Sequence, residues 1–520
     1  MTLPPQPECL IHAVLAAQAA ATPDAIAIEF CGEAVSYATF DAQANRVANA
    51  LVAAGVEPGT RIAILAKNCT RFLECVFGIV RAGAVATPIS WRLAPSEVEF
   101  VVRDADAPIL FYQEAFTSAA DTVCDTVRCI RLDGEGDPYA AWIGDADANA
   151  PSVPRTQDDI ALQLYTSGTT GRPKGAMLSQ RNLNKTCNLC DPWKPDWLKV
   201  SPGDRSLVAI PMFHIGGLES ALRAVLNGGT ALLHAEFDAE QVLDAIQHDR
   251  PTIIGVVPTA LQMMVRHPKG RATDYSSVRY FFYGASPIPA DLLCEALDLI
   301  GCGFVQAYGM TETVGAITYL SPEDHEAGDE RILRSAGRPN LHGEVKVIDA
   351  AGNTLPPGEV GEILLRAPYV MAGYWKKPEA SAEAVNAEGW LHTGDAGLLD
   401  AEGYLFVLDR LKDMIISGGE NIYPAEVEDA MHSHPAIAEV AVIGVPDPVW
   451  GEAAKAIIVL RPDAALDASE ILGWTRKRIA GFKVPKSIDL IDEMPRGPSG
   501  KILRRELMVP YWKGQSRAVN

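Results

Sequence analysis

The sequence Tyr165-Thr-Ser-Gly-Thr-Thr-Gly-Arg-Pro-Lys-Gly-Ala-Met177 follows an apolar run, Ile160-Ala-Leu-Gln-Leu164, that predicts a short buried strand. Its glycines let the backbone approach a ligand, its hydroxyls add donors, and Lys174 adds a positive charge. The loop therefore suits a chain of phosphates, although a polar surface loop has a similar composition. It is not a Walker loop, because it lacks the adjacent Gly-Lys pair and the hydroxyl residue after it.

Length and composition restrict the class of protein. A chain of 520 residues is too long for one compact core, so two or more domains are expected. Hydrophobic residues make up 48% and charged residues 21%, which is ordinary for a globular protein. No run of 18 apolar residues predicts a membrane span, and the N-terminus lacks the basic segment of a signal peptide. We therefore expect a cytoplasmic protein.

The net charge of −21 argues against a nucleic acid partner. Basic residues are concentrated between Arg476 and Arg505, either as a solvated face or as a patch for a polyphosphate ligand. The ten cysteines show no disulfide framework, so they are expected to be reduced in the cytosol. Cys187-Asn-Leu-Cys190 has the spacing of a metal-ligand pair, but the absence of a second pair nearby disfavours a zinc site.

Strand and helix patterns alternate through much of the chain, with strands predicted at Ala25–Phe30, Arg61–Ala66 and Ala84–Ile89. This order indicates a parallel sheet with helices on its faces. From Gly343 to Leu365 the hydrophobic period falls to two residues between Gly and Pro turns, which predicts an antiparallel region. A compact unit with both patterns runs from about Leu411 to the end.

Further motifs follow the predicted strands. In Gln306-Ala-Tyr-Gly-Met-Thr-Glu-Thr313 a threonine can bond a phosphate oxygen and a glutamate can hold Mg²⁺. Pro495-Arg-Gly-Pro-Ser-Gly-Lys-Ile-Leu-Arg-Arg505 is a turn-rich loop that can direct one cation into a cleft. Alone, each charged residue is more often on the surface than in a site. Three other segments are Tyr283-Gly-Ala-Ser-Pro287, Trp390-Leu-His-Thr-Gly-Asp395 and Asp409-Arg-Leu-Lys-Asp-Met-Ile-Ile-Ser-Gly-Gly419.

Taken in their order along the chain, these motifs resemble those of the adenylate-forming superfamily, which comprises acyl-CoA synthetases, peptide-synthetase adenylation domains and beetle luciferases. The resemblance covers nearly the whole chain and is strongest to bacterial fatty acyl-CoA ligases. It implies an α/β fold whose large N-terminal domain, residues 1–410, has stacked α/β sheets and a β-barrel-like part. A small mobile α+β domain, residues 411–520, would carry the catalytic lysine.

The resemblance assigns site residues motif by motif. Catalytic roles fall to Lys501, which would bridge the acid carboxylate and the α-phosphate, and to Thr311, Glu312 and Lys174, with Glu312 also holding Mg²⁺. The phosphate loop is Thr166, Ser167, Gly168, Thr169, Thr170 and Gly171. The other nucleotide and CoA contacts are Gly284, Ala285, Ser286, Ala307, Tyr308, Gly309, Asp395, Arg410, Lys412, Ser417, Gly418 and Gly419. Among these, Asp395 and Arg410 would bind the ribose, and Lys412 would be the hinge. Members more often have Thr or Asn where this chain has Gly497.

The implied reaction is ATP-dependent activation of a carboxylic acid as acyl-adenylate and its transfer to coenzyme A, with Mg²⁺ as the metal. The acyl pocket would be lined by His214, Ile215, Gly216, Val257, Met310 and Val314. We expect this lining to lack a fixed charge, with neither a cation for a second carboxylate nor a spare carboxylate for an ammonium group. A medium- or long-chain fatty acid is therefore favoured, with an aryl-propenoic acid of the coumarate or ferulate type as the alternative.

The acceptor and the assembly are less constrained. The chain ends at Asn520 without a carrier domain, so free CoA is the expected acceptor rather than a carrier protein. A homodimer is left open. A different class, a non-catalytic sensor of nucleotide or acyl-adenylate on the same fold, is disfavoured because binding alone needs neither Glu312 nor Lys501.

Overall fold

The computed structural model describes residues 9–166, 173–190, 194–340, 342–418, 420–462, 464, 467–496 and 502–513. These residues form four sheets, of nine, seven, four and five strands. The helices are α1 (Ile11–Ala21), α2 (Tyr37–Ala53), α3 (Thr70–Arg81), α4 (Pro95–Asp104), α5 (Thr117–Ala120), α6 (Pro138–Ile143), α7 (Gln180–Leu183), α8 (Ile215–Leu226), α9 (Ala239–His248), α10 (Pro258–Arg266), α11 (Ala290–Ile300), α12 (Pro322–Ala327), α13 (Glu330–Leu333), α14 (Pro378–Ala384), α15 (Pro424–His432), α16 (Ala468–Arg476) and α17 (Arg504–Met508).

Two large mixed sheets form most of the N-terminal domain. The nine-stranded sheet contains β1 (Ile26–Phe30), β2 (Glu33–Ser36), β9 (Arg205–Val208), β10 (Thr230–Leu233), β11 (Ile253–Val256), β12 (Tyr280–Gly284), β13 (Gly303–Met310), β14 (Gly315–Leu320) and β15 (Arg338–Pro339). The seven-stranded sheet contains β3 (Arg61–Leu65), β4 (Val85–Pro88), β5 (Ile109–Tyr112), β6 (Arg128–Arg131), β7 (Ile160–Thr166), β8 (Lys174–Ser179) and β18 (Gly373–Tyr374).

The predicted β-α-β order is confirmed for β3 and β4, which pair in parallel across the connection through α3. The first predicted strand, β1, instead belongs to the nine-stranded sheet, where it pairs with β10 and β2. Helix α2 begins after Ser36, whose hydroxyl accepts a hydrogen bond from the Thr39 amide. One apolar core contains residues of both large sheets together with α2, α3 and α8. The helices α2 and α3 approach closely because Gly78 has no side chain facing Val47. This shared core supports the strand ends that hold the site.

The antiparallel region forms an open sheet in place of the expected barrel-like part. Its strands lie in the order β16 (Glu344–Ile348), β17 (Gly361–Arg366), β19 (Leu391–Leu399) and β20 (Leu405–Arg410). Within the described residues β16 and β20 are opposite edges that do not pair with each other. Four strands are too few to curl into a closed wall, since small barrels have about eight.

The C-terminal domain has a separate apolar core. Its sheet contains β21 (Ile415–Ser417), β22 (Glu420–Ile422), β23 (Ile437–Asp447), β24 (Gly451–Leu460) and β25 (Ser487–Leu490). The two domains touch where the Ala425 amide donates to the Asp409 carboxylate over 2.8 Å. Arg334 also forms an exposed ion pair of 3.3 Å with Asp429.

The structure corrects the expectation that every cysteine is reduced, because Cys124 and Cys129 form a disulfide. The turn between α5 and β6 brings their Cα atoms to 5.6 Å, within the range that a disulfide spans. Cys187 and Cys190 are buried, and the described residues contain no group of three side chains that could hold a metal. In the same described part of the chain, no helix combines the length and the apolar character needed to cross a bilayer.

Candidate active site

The ends of the phosphate loop lie side by side. β7 and β8 are antiparallel neighbours, and Thr166 at the end of β7 is opposite Lys174 at the start of β8. The Lys174 ammonium lies 5.2 Å from the ring centre of Tyr374. The predicted loop residues between the strands fall outside the described residues; they are Ser167, Gly168, Thr169, Thr170 and Gly171. A cation and a hydroxyl residue therefore stand at the two ends of the loop.

Glu312 lies beside these strand ends and is 8% exposed. It occupies a 3₁₀ turn, Thr311–Thr313, directly after β13, and Thr311 is half-buried. One Glu312 carboxylate oxygen accepts hydrogen bonds from the Tyr374 hydroxyl at 2.8 Å and the Thr166 hydroxyl at 3.4 Å. Burial, followed by the charge of Glu312, raises the pKa of Tyr374, so this phenol stays a donor. These oxygen atoms are the ligand type that Mg²⁺ prefers.

A second carboxylate, Asp395, is 5% exposed and held by two donors. The Tyr308 hydroxyl donates to its Oδ2 over 2.6 Å, and Arg410 Nε lies 2.8 Å from its Oδ1. Asp395 and Arg410 are register partners in β19 and β20, so the sheet itself fixes this pair. Burial, with the Asp395 charge, raises the pKa of Tyr308 well above the usual value for a phenol. The structure thus brings together three of the predicted nucleotide-binding residues.

Close backbone packing shapes the strand ends between these two carboxylates. Gly284 is the register partner of Ala307, and a Cβ at Gly284 would overlap the Ala307 carbonyl. Gly309 similarly packs against the β14 backbone. Ala285 has φ 69°, a left-handed conformation that costs energy for any residue other than glycine. Strain therefore accompanies the segment of the predicted nucleotide contacts Gly284, Ala285 and Ser286, in which Ser286 is half-buried.

Most of the predicted acyl-pocket residues lie at the start of a helix or a turn. His214, Val257 and Met310 are the residues that immediately precede α8, α10 and the 3₁₀ turn of Glu312. Ile215 and Val314 are buried, and Gly216 and Met310 are half-buried. Val314 has φ 50°, so the chain turns sharply between Glu312 and β14. We call these residues the rim of the predicted pocket; Met310 and Val314 flank the Glu312 turn after β13, and Ile215 begins α8.

Two charged side chains, Glu219 and Lys185, lie near the predicted pocket residues, although none of those residues itself carries a fixed charge. Glu219 lies one turn beyond Ile215 on α8, and a Cβ at Gly315 would overlap its carboxylate. The ammonium of Lys185, which is buried, lies 3.9 Å from that carboxylate. Burial lowers the pKa of Lys185 to about 8, which Glu219 partly offsets. The pair could not be identified from the sequence, because Lys185 comes from a distant segment; the four-residue spacing from Ile215 to Glu219 was the available signal.

The predicted CoA-facing residues lie around the domain junction. Lys412 is exposed, two residues after Arg410. Ser417 pairs with Gly451, and the Gly418 amide donates to the Trp450 carbonyl over 2.8 Å. Gly418 has φ 61°, and a Cβ there would overlap the Trp450 ring. The remaining two predicted residues, Gly419 and Lys501, lie outside the described residues.

Two family models match most of the chain. The model of the AMP-binding enzyme matches residues 15–375, and that of the AMP-binding enzyme C-terminal domain matches residues 426–501. The first match spans the strand ends that hold Thr166, Lys174 and Glu312. The second covers most of α15 together with β23, β24, α16 and β25. The matches therefore agree with a large and a small domain.

Curated relatives and solved structures agree with these models. A feruloyl-CoA synthase from an Amycolatopsis species is 42% identical over 94% of this chain and 96% of its own. A fatty acid–[acyl-carrier-protein] ligase of Streptomyces coeruleorubidus is 39% identical over 94% of each chain. The structure of o-succinylbenzoate coenzyme A synthetase from Bacillus subtilis, in complex with ATP and magnesium, has a TM-score of 0.83 and 34% identity over 95% of this chain and 98% of that one. The chain therefore belongs to the AMP-binding enzyme family, within the adenylate-forming superfamily, and is an AMP-forming acid–thiol ligase.

Proposed function

We propose that this ligase activates a carboxylic acid with an apolar body and transfers it to coenzyme A, releasing AMP and pyrophosphate. One observation supports the nucleotide step above all. Glu312 lies directly after β13, Asp395 is bonded to Tyr308 within β13, and each carboxylate is held by a tyrosine hydroxyl at 2.6–2.8 Å. Asp395 would bind the ribose, and Glu312, beside the phosphate loop, would hold the metal of the triphosphate.

The chain's own residues would promote adenylation by position and charge. A carboxylate and a triphosphate repel each other, so fixed cations matter more than a strong base. Lys174 would neutralise the terminal phosphates, and Thr166 and Thr311 would donate hydrogen bonds to them. Glu312 would hold Mg²⁺, which offsets phosphate charge when bound. Lys501 would bridge the acid and the α-phosphate.

Nucleotide recognition would fall to the second carboxylate and the backbone beside it. Asp395 would accept hydrogen bonds from the ribose hydroxyls while Arg410 and Tyr308 hold it in place. The segment Gly284, Ala285 and Ser286 would contact the adenine, and the backbone from Ala307 to Gly309 would line the adenylate. The close packing of Gly284 on Ala307 keeps both segments at a fixed spacing.

Thioester formation would need a different arrangement of the domains. We place the domain boundary between residues 410 and 411 and the hinge at Lys412. In the second arrangement Ser417, Gly418 and Gly419 would face the pantetheine arm of CoA. The exposed position of Lys412 and the left-handed Gly418 support a segment that can change direction.

The charged pair beside the pocket changes the preferred substrate. A purely aliphatic chain gains nothing from a carboxylate at its tip, whereas a substituted aromatic acid can use it. The rim residues Ile215 and Val314 suit the apolar body of either. We therefore prefer an aryl-propenoic acid to a fatty acid, and the feruloyl-CoA synthase that is 42% identical supports this choice. A fatty acid remains the second candidate, supported by the relative named as a fatty acid ligase.

A substrate panel tests the proposal. We would measure acid-dependent pyrophosphate release and thioester formation with cinnamate, coumarate, ferulate and saturated fatty acids of increasing length. We expect the highest kcat/KM for an aromatic acid. A value that rises with each methylene, at about 0.8 kcal/mol per buried group, would establish the fatty acid instead. Release of no pyrophosphate with any acid would favour the non-catalytic sensor.

A further inference from the structure

We propose that Glu219 selects the substrate by accepting a hydrogen bond from a neutral donor at the far end of the acid, such as a phenolic hydroxyl. The inference rests on the proposed acyl-CoA ligase function and names the part of the acid that the site recognises. It applies to a residue that none of the motifs contains.

The position of Glu219 follows from the geometry of α8. Ile215 and Glu219 are four residues apart, so they share one face of the helix. Ile215 lies at the rim of the predicted pocket, and four residues of helix advance about 6 Å. Glu219 is therefore one helical turn further along the same face of α8. An acid whose carboxylate lies near Glu312 would direct its other end towards this part of α8.

Gly315 brings the carboxylate of Glu219 against the chain that turns away from Glu312. Gly315 has φ +82°, and any side chain at this position would overlap the Glu219 carboxylate. Its neighbour Val314 belongs to the predicted pocket rim. Because Gly315 has no side chain, the Glu219 carboxylate lies as a polar group next to that rim.

The Glu219 carboxylate has unused capacity to accept hydrogen bonds. Its side chain is only 14% exposed, and its ion pair with Lys185 measures 3.9 Å, which is longer than a hydrogen bond. Lys185 instead donates to the carbonyls of Ala316 at 2.8 Å and Thr313 at 3.3 Å. Among the described residues no donor completes a hydrogen bond to Glu219. An ionised carboxylate offers about four acceptor positions, and buried acceptors normally find a donor.

A small cavity lies beside this carboxylate. It measures about 30 Å³ and is lined by Glu219, Lys185, Tyr319 and Tyr369, among others. That space exceeds what one water needs, so it can take a hydroxyl group but not an aromatic ring. The ring of a substrate would remain on the apolar side, near Val314, with its hydroxyl at the cavity.

Charge determines which donor fits. Glu219 is the carboxylate of the cavity lining, which also contains the cations Lys185, Lys194 and Arg223. Arg223 donates to the Leu198 carbonyl over 2.7 Å and lies 5.0 Å from the ring centre of Phe282. An ammonium group on the acid would be repelled by these three cations, and a carboxylate in the hydrogen-bonding position against Glu219 would be repelled by the Glu219 carboxylate. A neutral donor meets neither penalty. The phenolic hydroxyl of an aryl acid satisfies this condition.

The competing explanation is that Glu219 only balances the charge of buried Lys185. In that case its loss would change stability but not the choice between substrates. The ratio of kcat/KM for 4-hydroxycinnamate to that for cinnamate separates the two explanations. Both values are measured on one enzyme preparation, so the ratio does not depend on how much of a variant is folded.

We would measure this ratio for the full-length wild type, Glu219→Gln, Glu219→Leu and the matched control Glu240→Gln. Glu240 is an exposed glutamate that pairs with Lys269, away from the pocket. We expect a wild-type ratio of roughly 10 to 100, the effect of a hydrogen bond to a charged acceptor. Glu219→Gln should lower the ratio several-fold, Glu219→Leu should bring it to about one, and Glu240→Gln should leave it unchanged.

Two results would overturn the inference while leaving the ligase function intact. One is a wild-type ratio near one, and the other is a ratio that both Glu219 variants retain. A third result, wild-type enzyme that releases no pyrophosphate with any acid, would instead overturn the proposed function itself and this inference with it. The failures are therefore distinguishable.

Discussion

The substitution Tyr308→Phe removes the hydroxyl that donates to Asp395 over 2.6 Å and changes nothing else in the side chain. Asp395 is 5% exposed, so water cannot readily replace the lost donor. A hydrogen bond to a charged group contributes about 1.5–3 kcal/mol, which corresponds to roughly 10- to 150-fold in an equilibrium constant. Arg410 still holds the other carboxylate oxygen at 2.8 Å. We therefore expect an effect at the lower end of this range, a rise of about 10-fold in the Kd of ATP.

The assay is calorimetric titration of ATP in the absence of the acid, so that binding is measured without turnover. The matched control is Tyr139→Phe, which removes a hydroxyl that donates over 2.8 Å to the buried carboxylate of Glu74. Tyr139→Phe should lower the free energy of unfolding by about as much as Tyr308→Phe does, and it should leave the Kd of ATP unchanged. An unchanged Kd in Tyr308→Phe would refute the role of Tyr308 in orienting Asp395. An equal rise in both variants would show that the effect is general destabilisation.

Three other changes have defined outcomes. Lys501→Ala should slow acid-dependent pyrophosphate release by about 10²–10³-fold with little change in ATP binding, and near-normal release would exclude the catalytic role. Lys412→Pro should impair thioester formation from a synthetic acyl-adenylate while adenylation persists; equal loss of both steps would make Lys412 structural. The pKa of His12 is lowered to about 4 by burial and by Arg155 and Arg81. Between pH 6.5 and 4 His12 is therefore protonated in the unfolded chain but neutral in the folded chain. Lowering the pH through this range reduces the free energy of unfolding by up to about 3 kcal/mol. Urea unfolding at pH 7 and pH 5 should show a smaller loss of unfolding free energy for His12→Gln than for the wild type. An identical loss in the two proteins would contradict the role of His12.

The sequence was sufficient for residues that lie in motifs at strand ends. Asp395 and Arg410 belong to separate motifs, yet antiparallel pairing of β19 with β20 makes them neighbours. The β-α-β alternation likewise predicted the parallel core of the seven-stranded sheet. Local hydrophobic patterning predicted the strands of that sheet, whereas the association of Asp395 with Arg410 was implied by the resemblance of their motifs.

Other site features depend on contacts that no local pattern encodes. Tyr374 lies on a strand of two residues, too short to show a period of two. Glu219 follows the polar spacing of any amphipathic helix, so only the three-dimensional contact with Lys185 distinguishes it from a solvated residue. The barrel-like part was implied by the resemblance, and the sheet is open because closure depends on strand number and tilt.

The pairing of β18 with β8 has a consequence for synthesis of the chain. Gly373 and Tyr374 join the sheet at Met177 and Ala176, across nearly two hundred intervening residues. Contacts between such distant segments form late, because a long loop must first close. On the ribosome, the strands that flank the phosphate loop emerge well before Tyr374 is made. A nascent chain that ends before Tyr374 thus lacks the hydroxyl that binds Glu312, and the growing protein acquires its complete nucleotide site only after most of it has been translated.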